Sequence, residues 1–331
     1  MYYPIFRGKQ YEFLTLRESI SKLKDSGKII PVIEPVKSGK SSINSLYRCL
    51  NDLNEAALKA IFIVNPRCRK GDFHKNIKAL QSIVEKIRTE NSNVSFGYWV
   101  GAETSILELE DFIRCIDAKF YLLHYSEYSN LEYLLPLLSQ NADFLGHFLD
   151  VDALSDIYLT SIDSNRILLR DNFIRFDANE EYRFENDDLF STDYLSFHER
   201  KYEGFSDYLT IGSKYSDDGG TPETVAIHIT YETYGKDSIR VRHCLSNHYA
   251  VNQDRGKMIR EALTELKEFL SEKPEILNYS SACAELMLHL DNEEKNTSLA
   301  NIKKLAMRHH LELIINVLDD YEDDTEFSEA S

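Results

Sequence analysis

The sequence predicts an α/β fold, a (β/α)8 TIM-barrel-like domain followed by a C-terminal helical extension. Two observations carry that expectation. Short apolar runs rich in β-branched and aromatic residues recur from residue 29 onward, and between them lie longer segments whose apolar residues repeat at spacings of three and four. Alternation of this kind is the pattern of a parallel sheet covered by helices, with strands apolar almost throughout because both faces are buried.

The strands come in order as IIPVIEPV (29–36), KAIFIVN (59–65), VSFGYWV (94–100), KFYLLHY (119–125), ADFLGHFLD (142–150) and RILLRD (166–171). The segments SINSLYRCLNDLNEAALK, FHKNIKALQSIVEKIRTE, ILELEDFIRCID and NLEYLLPLLSQ separate them as crossover helices. In the second of these, Ile77, Leu80, Ile83, Val84 and Ile87 share one face while Lys78, Glu85 and Lys86 point to solvent. Six β/α units fit an open doubly wound sheet or a closed barrel, and the count favours closure. After an irregular stretch at 174–203, the runs SDYLTIGS (206–213), TVAIHITYET (224–233) and SIRVRHCLS (238–246) offer strands seven and eight. The last two, split by YGKD, also fit an antiparallel hairpin.

Pro274 interrupts the helical pattern that follows, which places the barrel domain with its N-terminal arm at residues 1–275 and the helical extension at 276–318. Residues 319–331 are acidic and expected to be a disordered tail.

Composition excludes several classes. The 331 residues include 43% hydrophobic and 28% charged, the proportions of a chain that buries a real core. The net charge of −17 disfavours a direct, extended nucleic-acid interface, because such binding draws on Lys and Arg displacing counterions. An acidic surface suits docking on a basic protein or the imitation of DNA equally. Cys49, Cys68, Cys115, Cys244 and Cys283 have no C-x-x-C spacing and read as reduced thiols of a cytoplasmic protein. No apolar stretch approaches a membrane span, and the N-terminus has no secretory signal pattern.

Functional groups of a (β/α)8 barrel gather at the C-terminal ends of its strands. Glu34 stands at the first such end, where it faces either a ligand or the cations Arg7 and Lys9 of the N-terminal arm. Asn65 and Arg67 end the second strand; the Asn either binds a ligand or caps the loop. His124 and His147 fit general bases or hydrogen-bonded core residues, with no metal-ligand spacing around either. Arg170 and Asp171 close RILLRD as a salt bridge or an anion site.

FHERKYEGFSDY brings His198, Glu199, Arg200 and Asp207 together in sequence, and Gly204 allows a tight turn there. SKYSDDGGTP (213–222), with Asp217 and Asp218, reads as a turn and lacks the alternating oxygen ligands of a calcium loop. His228, Thr230 and Glu232 alternate on one side of VAIHITYET, a side that would face the lumen if this run were a barrel strand. No G-x-S-x-G, Walker, H-E-x-x-H or G-x-G-x-x-G motif occurs.

YYPIFRGKQYE, then IIPVIEPV, then GFSDYLTIG, in that order, resemble the bacterial and phage "beta protein" family over residues 1–260. The matching positions are Pro4, Arg7, Lys9, Glu12, Glu34, Gly204, Phe205 and Asp207. The resemblance implies a product of mobile elements, prophage or phage-defence loci, sometimes encoded beside a nuclease-like partner, and assigns no catalytic role to any of these residues.

Two functional expectations follow. One is a sensing or partner-binding barrel of a phage-defence or mobile-element system. The other is a metal-dependent or acid/base hydrolase of a phosphate-containing substrate, with Glu34, Asp207 and His228 as catalytic candidates. Arg7, Lys9, Asn65, Arg67, His124 and Arg170 are its ligand-binding candidates.

Overall fold

A computed structural model describes residues 1–68, 72–215, 222–248, 254–291 and 297–329. The chain divides into two compact units, the first made of Met1–Phe13, Ile29–Asp171 and Asp193–Tyr208, the second of Leu14–Lys28, Asn172–Thr192 and Leu209–Ser331. Helix α1 (Gln10–Ser26) carries the chain from one to the other.

The first unit is the predicted barrel. Its strands are β1 (Ile5–Phe6), β2 (Val32–Ile33), β3 (Ala60–Ile63), β4 (Val94–Val100), β5 (Phe120–His124), β6 (Phe144–Asp150), β7 (Arg166–Leu169) and β9 (Gly204–Ser206), each parallel to its neighbour in that order. The ring shuts where Tyr3 N–H donates to Phe205 O at 2.9 Å and Ile5 N–H to Asp207 O at 2.8 Å.

Six strands lie where the apolar runs placed them. The other two do not. The N-terminal segment was expected to be an arm laid against the barrel, but Ile5–Phe6 is itself the first strand, and the eighth is Gly204–Ser206.

Helices α2 (Lys40–Glu55), α3 (Ile77–Glu90), α4 (Ile106–Cys115), α5 (Leu131–Ser139) and α6 (Asp156–Ser161) lie between the strands in sequence. Each of the longer ones buries a stripe at helical spacing, as α2 does with Leu46, Cys49, Leu50 and Leu53. The α3 stripe is Leu80, Ile83 and Ile87; Ile77, expected on it, is exposed at the first turn, where Asn76 caps the helix by accepting from Ala79 N–H. The lumen is filled, with Tyr3, Ile5, Val32, Ile63, Leu123 and Phe148 in one apolar cluster.

The second unit has an antiparallel sheet ordered β10 (Ala226–Glu232), β11 (Ile239–Leu245), β8 (Asp187–Ser191). TVAIHITYET and SIRVRHCLS thus form the hairpin and supply no barrel strand, and of SDYLTIGS only Ser206 lies in a strand, with Leu209–Ile211 forming a 3-10 turn. The barrel therefore ends near Tyr208 rather than near residue 275. Ile227, Ile229 and Cys244 of this sheet pack with Leu263 and Leu266 of α8 (Arg255–Glu272), Cys283 of α10 (Ser281–Asp291) and Leu305 of α11 (Leu299–Glu329).

Glu312 is buried and accepts from Lys22 Nζ at 2.7 Å, Ser280 Oγ at 3.0 Å and Ala282 N–H at 3.0 Å, which fastens α11 to its neighbours within the unit. Asp217 and Asp218 lie outside the described residues. No helix among the described residues is long and apolar enough to cross a membrane.

Candidate functional site at the barrel mouth

Side chains alternate across a strand, so the residue two positions beyond each luminal residue projects at the C-terminal mouth. Extending the luminal Ile5, Val32, Ile63, Leu123 and Phe148 by two gives Arg7, Glu34, Asn65, Tyr125 and Asp150, and Tyr208 follows β9 into the same cluster. These residues, with Arg67, make up the candidate site.

Glu34 has no exposed surface. One carboxylate oxygen is ion-paired with the Arg7 guanidinium and the other accepts Arg67 N–H at 2.7 Å. The Arg7 guanidinium also lies over the Tyr208 ring, 4.8 Å from its centre. Arg7 N–H donates to Glu12, whose carboxyl burial pushes up to about 6 against the opposing charges of Lys9 and Arg7. Glu34 is thus the tie that a buried charge demands, joining the ends of β1 and β2 to the loop after β3.

Arg67 is exposed and its guanidinium sits 3.3 Å above the centre of the Tyr125 ring, with Trp99 at 5.4 Å. Desolvation lowers its pKa from the ordinary value, with Tyr125, Tyr208 and Asp150 acting in opposition. Asp150 is half-buried, and desolvation pushes its carboxyl up to about 6 although Arg67 pulls it down. Burial pushes the Tyr208 phenol up to about 12. The mouth therefore presents a stacked guanidinium, a carboxyl that titrates near neutrality and a protonated phenol.

Other candidates sit elsewhere. Asn65 caps, exchanging hydrogen bonds with Trp99 N–H at 2.7 Å and Trp99 O at 2.9 Å. Arg170 bonds Asp193 at 2.6 Å and Asp152 at 3.2 Å. Asp207 is buried and accepts from Tyr2 OH at 2.6 Å, and Tyr2 and Phe205 stack outside the luminal cluster. His124 is buried between Tyr158 OH at 2.8 Å and His147 Nδ1 at 2.9 Å, and burial pulls it down to about 3.

His228 does not face the lumen, because its strand belongs to the second unit. There Asp188 accepts from His243 Nε2 at 3.0 Å, and His243 Nδ1 lies 2.7 Å from His228 Nδ1. A carboxylate can only accept, so His243 Nδ1 is the acceptor from His228 Nδ1–H, which puts the lone pair of His228 on Nε2, where burial and then His243 hold its basicity well below the ordinary imidazole range. Glu34 and Asp207 belong to one unit and His228 to the other, and Glu34 and His228 are engaged in separate networks.

Sequence reasoning missed Tyr125, Asp150, Tyr208, Asp188 and His243. The first two close apolar runs and were readable by the same strand-end rule that gave Glu34. Among the described residues no three His, Cys, Asp or Glu side chains form a metal-binding group. No protein-family model and no curated protein matches the chain.

Proposed function

We propose that this chain is the sensing barrel of a bacterial phage-defence or mobile-element system and that it takes a small phosphate-bearing ligand at the barrel mouth. The reading rests on the exposed Arg67 guanidinium stacked on Tyr125. A planar cation on an aromatic face is pre-oriented for two hydrogen bonds to an anion. The defence context is supported by the order of YYPIFRGKQYE, IIPVIEPV and GFSDYLTIG. The net charge of −17 suits a basic protein partner, nuclease-like in the relatives it resembles.

Titration calorimetry of the intact chain with pyrophosphate and ADP tests the reading. Arg67→Ala should abolish binding while shifting stability by no more than about 1 kcal/mol, since the side chain is at the surface. If the intact chain binds neither probe, or the variant binds equally well, the reading fails.

A second reading, hydrolysis of a phosphate ester, is favoured by Asp150, a carboxyl pushed up to about 6 beside Arg67 and so matched to acid–base work near neutrality. Glu34 is less suited because both its oxygens are engaged. Turnover of bis(p-nitrophenyl) phosphate that Asp150→Asn removes would support it; turnover unchanged in that variant would sink it.

A further inference from the structure

At the opposite, N-terminal ends of β6 and β7 lies a cleft of about 450 Å³, inside the range of roughly 300–1,000 Å³ typical of small-molecule sites. Its apolar wall includes Leu135, Leu138, Phe144 and Ile162, and its polar groups include Asn141, His147, Asp163 and Asn165.

A β-bulge builds it. Phe120 pairs with Phe144 and Tyr121 with Gly146, so Leu145 is the extra residue. Leu145 and Phe148 both pack on the luminal core, which puts Phe144 and His147 together on the outer face. The bulge depends on Gly146, where a Cβ would stand 2.6 Å from Asn165 O. The same loop fixes His147, whose N–H donates to Asn165 O at 2.7 Å.

The hydrogen-bond chain behind His147 sets what it offers. Tyr158 O accepts Tyr128 N–H at 3.2 Å and lies 2.8 Å from His124 Nδ1, and either of these two atoms can carry the proton they share. In the tautomer that keeps the phenol proton on Tyr158, His124 donates Nε2–H to His147 Nδ1 at 2.9 Å. A neutral imidazole carries one proton, so that of His147 is on Nε2. His147 is 3% exposed and no group among the described residues bonds its Nε2–H. It is a buried imidazole on the wall of a cleft, and in that tautomer its Nε2–H is a donor.

We infer that this cleft binds an uncharged nucleobase or nucleoside through a lactam edge, the carbonyl accepting from His147 Nε2–H. The adjacent ring N–H finds acceptors in Asp163 and the Asn165 carboxamide, and the apolar wall covers the flat ring. Asp163 also sets the charge selection, because a phosphate beside its carboxylate is repelled. The site is separate from the mouth, at the other ends of the strands, and holds whether or not the mouth binds anions.

The test is titration of the full chain with uracil, hypoxanthine, uridine and UMP, followed by calorimetry and by the 15N resonances of labelled histidine. Uracil or hypoxanthine should bind and move the His147 Nε2 resonance, and UMP should bind about tenfold more weakly than uridine. Ser164→Trp, an exposed lining position, should weaken binding at least about tenfold by filling the cleft, with unfolding temperature unchanged. His147→Gln should do the same if it folds; Ser164→Trp decides the matter if it does not. Failure of both bases to move the His147 resonance at millimolar concentration would overturn the proposal. So would binding unaffected by Ser164→Trp, or UMP binding as tightly as uridine.

Discussion

Glu34 accepts the Arg67 backbone N–H at 2.7 Å with one oxygen while the other meets the Arg7 guanidinium. One carboxylate thereby ties three consecutive strand ends together and holds the Arg7 guanidinium. Glu34→Gln removes the charge that Arg7 faces in a fully buried place, and unfolding by urea should show a loss of about 3 kcal/mol. Adding Arg7→Met to Glu34→Gln should recover part of that loss, because the buried cation goes too. A double variant as unstable as the sum of the singles would show that the two do not act as a pair.

Barrel closure turns on Gly204. A Cβ there would lie 2.5 Å from Met1 O and 2.7 Å from the Tyr3 ring. Gly204→Ala therefore pushes β9 away from β1, and thermal unfolding should report a loss of about 2 kcal/mol. An unfolding temperature equal to the parent's would contradict the close approach.

Stability should fall with rising pH through Glu12. Burial raises its carboxyl from 4.5 to about 6, so between those values the folded chain keeps a proton that the unfolded chain has released. The contribution is whole below pH 4.5, and about 2 kcal/mol is lost by the time pH has passed 6. Glu12→Gln does not titrate. Its stability relative to the parent should rise across that window, and a difference independent of pH would refute the assignment.

Thiol chemistry should follow burial. Cys115 is exposed and Cys68 partly so, whereas Cys49, Cys244 and Cys283 are buried. Cys283 lies 3.3 Å from His309, yet burial pushes its thiol up to about 12, which leaves it unreactive. A thiol reagent on the native chain, read by mass spectrometry, should label Cys115 first and the three buried thiols only after denaturation. Rapid labelling of Cys283 would instead make Cys283–His309 a reactive pair.

The barrel was legible where its strands are long. KAIFIVN and VSFGYWV carry enough apolar residues for a pattern, whereas Ile5–Phe6 has two residues beside Pro4 and Gly8, and Gly204–Ser206 has three. Strands that short have no period to read and exist because their neighbours template them. The site divides the same way. Glu34 and Arg67 follow from the strand-end rule, since the alternation that fills the lumen also sets the mouth. Asp188, His243 and His228 meet only through the register of β8, β10 and β11, a relation between distant segments that no local pattern encodes.

Closing a ring with its first strand also has a consequence for synthesis. The β1 edge has to wait for β9, so until residue 207 of 331 has been made, the backbone groups of Tyr3 and Ile5 that later bond Phe205 and Asp207 are not both paired. A nascent chain of that length is an unsealed curl with two raw edges, exposed to pairing with other chains. Ribosome pausing or truncation before Gly204 should therefore yield aggregates rather than a smaller soluble barrel.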